Sequence, residues 1–408
     1  MTNDHETDGG TGWSGSASDT FTETRSRSWF SRIGSSLTGL LIGPLVVLAG
    51  IVLLFWNEGR AVATDRSLAE GAGRVVSIAA GTVDPADEGR LVHVGGPVTT
   101  GEKLRDGATG VTADGLRLVR TVQVYQWRET SKSETHKKLG GGEETVTTHT
   151  YALDWTDHPV DGSAFKQPDG HRNPPTPVAG ETITQSAARL GAFALTPAQA
   201  GRLGRMRALP VDTFDRAAVQ RLVGIGTPIR AVDGRIHVGA DPMRPQLGDL
   251  RISYEVAATP EATVVAARRG AGFAAFTTSN GRTIDIFRDG LLAAEQVFDD
   301  ARADNTLWTW VIRLGGVLIL AFGFGLVLGP LSVVADVIPL VGDLVGGVSS
   351  MVAFAAAALV GSATVAVAWF AYRPLLAAAL IVAGIAVAYG LRRLAGRRAV
   401  PTPAGAAV

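Results

Sequence analysis

Arg313 is the one base within an otherwise apolar stretch near the C-terminal end of the chain. A charge at such a place suggests an ion or substrate path. The plainer reading is a side chain that snorkels to the interface one to two turns away, and that short distance favours it. Asp336 and Asp343 flank Pro339 in a partly polar stretch further on. They could face a water-filled cavity or a re-entrant loop, but helix caps at the membrane surface are the simpler role. The run FWNEGRAV (55–62) holds the densest polar group beside an apolar segment: Trp56, Asn57, Glu58, Gly59 and Arg60. A Glu58–Arg60 pair would sit in a partly desolvated layer. Gly59 would permit a positive-φ turn there, and Arg60 could hold a lipid headgroup. The plainer reading is a helix stop with aromatic interface anchors. His136, His149, His158 and His171 are spread over one region with no HxxxH or HExxH spacing, and there is no cysteine. A metal site is not expected from that pattern. Asp154, Asp157, Asp161 and Asp169 near His158 read as a solvated loop, since sequence spacing gives no paired acid–base geometry. LGGGEE (139–144) lacks the Lys-Ser/Thr of a phosphate loop, and no G-x-S-x-G follows a strand in the soluble part. No catalytic, cofactor or metal residue is assigned, and no cofactor is expected.

These groups are positioned by membrane spans. Residues 37–56 carry no charge and, as a helix, would extend about 30 Å, the thickness of a bilayer core. The run begins too far into the chain, and is too long, for a signal peptide. A second apolar block divides into spans at 307–330, 345–370 and 375–391, with 331–344 as a cytoplasmic connection and Tyr372-Arg373-Pro374 as a tight turn. Arg25, Arg27 and Arg32 precede the first span; Arg392, Arg393, Arg397 and Arg398 follow the last. The positive-inside rule then makes both termini cytoplasmic and residues 57–306 extracytoplasmic. Gly39 and Gly43, and Gly325 and Gly329, make GxxxG pairs that allow close helix approach, within this chain or between copies.

The chain has 408 residues, 38 basic and 38 acidic, for a formal net charge of +0. No nucleic-acid partner is expected of so balanced a charge. Absent cysteine excludes disulfides and thiolate chemistry. Arg far outnumbers Lys, and Ala and Gly abound, which indicates a GC-rich, bacterial genome.

Residues 1–36 are rich in Gly, Ser, Thr and acids and read as a disordered tail, as do the last residues of 392–408. Between spans one and two, strand signals dominate. They include RVVSIA (74–79), LVHVG (91–95), LRLVRTVQVYQW (116–127) and VTTHTYALDW (146–155), then 235–238, 249–257, 262–268, 273–278 and 283–288. ETSKSETHKKLGGGEE between two of them predicts a long hairpin with a polar tip. Helices are expected after Thr196-Pro197, over 210–223 and over 293–302.

Trp56-Asn57-Glu58-Gly59-Arg60-Ala61-Val62, Leu91-Val92-His93-Val94-Gly95-Gly96, Val124-Tyr125-Gln126-Trp127, Gly248-Asp249-Leu250-Arg251-Ile252-Ser253-Tyr254, and Trp369 with Tyr372-Arg373-Pro374 occur in an order that resembles the LUMA family (transmembrane protein 43 family). The resemblance covers about residues 39–391. It implies a four-pass membrane protein that organises membrane protein complexes and self-associates. Eukaryotic members belong to the endoplasmic reticulum and inner nuclear membrane; a bacterial member would lie in the plasma membrane. The family supplies no catalytic residues to carry over.

The reading is an α+β membrane protein: four transmembrane helices, one N-terminal and three C-terminal, with a β-rich extracytoplasmic domain inserted between spans one and two. The expected function is a non-enzymatic scaffold of membrane proteins and local lipid, with membrane lipids, other membrane proteins and further copies as partners. The alternatives are a channel or transporter subunit and an envelope lipid- or glycan-acting enzyme.

Overall fold

A computed structural model describes residues 19–397. The disorder expected at 1–18 and 398–408 falls outside those residues. Six α-helices are described: α1 (Trp29–Arg74), α2 (Pro197–Ala200), α3 (Arg216–Val223), α4 (Ala294–Ala335), α5 (Pro339–Tyr372) and α6 (Pro374–Arg397). α1, α4 and α5 are long and apolar enough to cross a membrane.

α1 does not stop at Asn57. It continues to Arg74 because residues 57–74 are mostly good helix formers, and no positive φ occurs at Gly59. The expected turn is replaced by close packing: a Cβ on Gly59 would stand 2.8 Å from the Tyr372 ring. α4 likewise begins inside the domain and runs unbroken through the apolar stretch to Ala335. The connection expected at 331–344 therefore shrinks to the few residues between Ala335 and Pro339, with Asp336 as the C-cap of α4.

α1 and α4 are antiparallel, and glycines set their separation. Gly43 meets Gly323 and Val327; Gly50 meets Leu320; Gly316 meets Leu54. Leu54, Leu320 and Ala357 of α5 form the buried centre of the bundle. The close-packing partner of the first GxxxG pair is thus inside this chain. Gly325 and Gly329 face no atom within 4 Å and lie off that seam.

The domain holds an eight-stranded and a seven-stranded sheet. Leu250–Ala258 is central to the first, pairing with Arg117–Lys137, Arg235–Val238 and Arg205–Leu209. Glu261–Arg269 is central to the second, beside Leu91–Thr99 and Ile286–Asp289. The strands expected at 273–278 and 283–288 are each broken in two. α2 carries the expected Thr196 cap, completed by Gln199 as a capping box. A separate cluster of Leu68, Leu91, Val265, Ile284, Val297 and Phe298 joins α1 and α4 to the second sheet. Beneath the first sheet, Asp106 is fully buried. Burial opposes its ionisation, but hydrogen bonds from Arg120, Tyr254, the Ala108 N–H and Thr109 outweigh it and hold its carboxyl below the usual range. That network stabilises the domain above the ordinary carboxyl pKa and is lost as pH falls through the lowered value.

The long hairpin exceeds its expected length. Its strands are Arg117–Lys137 and Glu143–Thr156, so most of the supposed polar tip is paired. Residues 19–27, assigned by composition to a disordered tail, form a third strand, Asp19–Arg27, antiparallel to Glu143–Thr156. The three make a polar ribbon that leaves the domain near Trp127. From Arg128 to Lys137 it covers about 30 Å, close to the roughly 35 Å of α4 between Arg313 and Asp336. The tip ends against the far end of the bundle: Lys137 Nζ lies 2.7 Å from Asp336 and 2.8 Å from Asp343. The Gly140 N–H donates to the Val337 carbonyl at 3.2 Å. The inserted segment was expected wholly on one side of the spans. Instead its tip reaches the level of Arg32, while Asp19 pairs with Tyr151 at the domain end.

Two measurements test this packing. Gly323→Val, whose Cβ would stand 2.8 Å from Val47 Cγ2, should lower the unfolding temperature by several degrees, whereas Gly325→Val should leave it nearly unchanged. The cysteine-free chain also allows Lys137→Cys with Asp343→Cys to be bridged by a short bismaleimide in native membranes. Absence of that product would remove the docked ribbon.

Candidate interfacial site

Glu58 is 2% exposed at the level where the apolar part of α1 ends. Its carboxylate accepts from Arg313 Nε at 2.6 Å and Nη2 at 2.8 Å, and from the Trp369 indole N–H at 2.9 Å. One acid thereby ties α1 to α4 and α5. The Arg313 guanidinium also lies over the Trp310 ring, 4.7 Å from its centroid. The bidentate geometry uses the fork that distinguishes Arg from Lys.

The Glu58–Arg60 pair considered from sequence does not form. Within a continuous helix, residues two apart point to different faces. Arg60 instead donates to Asn57 Oδ1, Asn305 Oδ1 and Thr309 Oγ1, at 3.1–3.3 Å. Asn57 is fully buried and donates to the Thr309 carbonyl at 3.1 Å; Asn305 donates to the Ala61 carbonyl at 3.0 Å. Asn305, Thr309 and the Trp369 donor are partners that sequence reading missed. Each lies more than two hundred residues from its partner, and no local spacing signals it.

Trp56 and Trp310 are each more than half exposed, as interface aromatics are. Phe55 packs against Tyr372 with ring centroids 5.3 Å apart, and Arg66 Nη2 donates to the Tyr372 carbonyl at 3.1 Å. Arg373 is the break between α5 and α6, and Pro374 opens α6. Beside these groups is a cavity of about 310 Å³, lined among others by Glu58, Asp65, Trp310, Arg313, Trp369 and Arg373.

A second polar node closes the other end of the bundle. Asp336, 1% exposed, pairs with Arg32 at 2.5 Å and with Lys137; Arg32 also pairs with Glu143 at 2.7 Å. Asp343 is exposed and pairs with Lys137. Asp336 stands at the C-terminal end of α4 and Asp343 within α5; the Asp336 carboxylate is neutralised by Arg32 at the start of α1 and by Lys137 of the hairpin. Arg313 lies midway along α4, roughly 35 Å along the helix from Asp336 at its C-terminal end, so Arg313 and the two aspartates form no common cluster.

The histidines are dispersed. His149 pairs with Glu129 at 2.9 Å. His171 stacks on Tyr151 with centroids 4.2 Å apart, and His158 pairs with its neighbour Asp157 on the surface. Among the described residues, no three His, Asp or Glu side chains gather in a group that could hold a metal.

Glu58→Gln leaves a mostly buried guanidinium without a counter-charge and should cost about 3 kcal/mol of stability in detergent. Adding Arg313→Gln should restore part of that loss. A double-mutant cycle with coupling below about 0.5 kcal/mol would show that the pair does not join the helices.

The family model described as Transmembrane protein 43 matches residues 124–374. Transmembrane protein 43 of Pongo abelii is 32% identical over 375 residues, covering 88% of this chain and 90% of that protein. The Homo sapiens protein of that name is 31% identical over 372 residues, covering 88% and 90%. The Transmembrane protein 43 homolog of Drosophila melanogaster is 28% identical over 366 residues, covering 84% and 91%. No solved structure matches. The family-model match takes in the later part of the inserted domain, α4 and α5, and with them Arg313 and Trp369. The chain is a membrane protein and belongs to the transmembrane protein 43 family.

Proposed function

We propose that the chain is a multi-pass, non-enzymatic membrane scaffold that mounts a rigid extramembrane domain and organises other membrane proteins and nearby lipid. The observation that carries this reading is the continuity of α1 and α4. Each runs without a linker from the bundle into the domain core, where Leu68, Val297 and Phe298 are buried together. A domain mounted this way keeps a fixed height and orientation, as a docking platform requires. In this reading α6 supplies the fourth crossing, and its basic end at Arg392 and Arg393 is cytoplasmic. Gly325 and Gly329 meet no atom within 4 Å and line a cavity of about 320 Å³ together with Gly342 and Gly346 of α5, a small-residue face that suits close approach by a helix of a partner or of a further copy.

Crosslinking in native membranes followed by mass spectrometry tests the reading. A reproducible set of membrane proteins, with self-crosslinks, is expected. Recovery of nothing beyond the pattern of an unrelated membrane protein would end it. The channel reading draws on Asp336 and Asp343, both engaged by Lys137. Current through liposomes that disappears in Asp336→Asn would put that reading first.

A further inference from the structure

The interfacial cavity contains two charged groups that the fold does not use. Glu58 and Arg313 satisfy each other there. Asp65 and Arg373 line the same cavity, and neither side chain makes an ion pair or hydrogen bond among the described residues. Arg60, the residue first considered for headgroup binding, is already held by Asn57, Asn305 and Thr309. An acid and a base that face one cavity without meeting suit a ligand carrying both charges.

We propose that this cavity binds the headgroup of an aminophospholipid, with its phosphate on Arg373 and its primary ammonium on Asp65. The level of the cavity supports a lipid source. Trp310 and Trp369 line it, and exposed Trp56 and Trp308 mark the same layer. Exposed Leu314 and Phe370 continue from it along the apolar faces of α4 and α5, where acyl chains would lie. The chemistry selects the class. A guanidinium binds a phosphate diester through parallel N–H donors. A primary ammonium donates hydrogen bonds to a carboxylate, which a trimethylammonium cannot do. A headgroup with phosphate alone would leave Asp65 unpaired beside a second anion. The proposal does not rest on the scaffold reading.

Native mass spectrometry of the full-length chain in detergent tests it, with phosphatidylethanolamine, phosphatidylglycerol and phosphatidylcholine of matched chains. Phosphatidylethanolamine should be retained about tenfold better than either, the scale of one charge-assisted hydrogen bond. Asp65→Asn should abolish that preference without weakening phosphatidylglycerol, and Asp65→Glu should keep it. Arg373→Gln should weaken all three. Unfolding curves matching the unsubstituted chain separate lost binding from lost fold. Equal retention of the three lipids, or a preference that survives Asp65→Asn, overturns the proposal. Glycerophosphoethanolamine at the same concentration should bind far more weakly; if it binds equally well, a free phosphodiester is the ligand and the lipid assignment falls.

Discussion

A carboxylate withdrawn from water where the membrane spans end must find a cation or lose its charge. Glu58 finds Arg313, with the Trp369 N–H as a third donor. This contact joins helices widely separated in sequence, so it fixes what α1, α4 and α5 do together. It accounts for Asn57, which caps no helix and instead reaches the Thr309 carbonyl on the facing helix. It also accounts for Arg60, whose turn of the helix faces Asn305. In the layer beneath the domain, Glu58, Arg313, Asn57, Arg60, Asn305 and Thr309 thereby hold one another, and Asp65 and Arg373 stand beside them in the cavity.

Close helix approach is the complementary constraint. A guanidinium reaches a carboxylate in two-point geometry only if the helix axes are near each other. Gly43, Gly50, Gly316 and Gly323 provide that distance along the rest of the seam. The same two helices then enter the domain and bury Leu68, Val297 and Phe298 against its second sheet. Bundle and domain thus share continuous secondary structure, and motion of one carries the other.

Much of this was legible in the sequence, for identifiable reasons. Uncharged runs disclosed α1, α4 and α5, since hydrocarbon tolerates few alternatives. Alternation in LRLVRTVQVYQW disclosed a strand, since Leu118, Val122 and Val124 face a buried core. The strand at Asp19–Arg27 left no such trace. It has no apolar face, and its pairing with Glu143–Thr156 is mostly polar. The helical continuation past Asn57 was hidden by its own composition: Gly59 suggested a turn, and only the nearness of Tyr372 shows that the glycine clears space for a ring. The partners of Glu58 were hidden by distance along the chain. Arg313 was visible as an anomaly, but an isolated sequence position cannot display the acid opposite it.

The docked ribbon alters how the molecule can sit among lipids. Its outer stretch carries Thr130, Lys132, Glu134 and His136 on one face, and Ser131, Ser133, Thr135 and Lys137 on the other. Neither face can meet acyl chains. Yet its length matches the apolar stretch of α4, and its tip is tied to the bundle's far end by Lys137 and Arg32. While it is docked, boundary lipid cannot encircle the bundle as a closed ring. The annulus is a crescent, open on the ribbon side, where water or protein must complete the circumference.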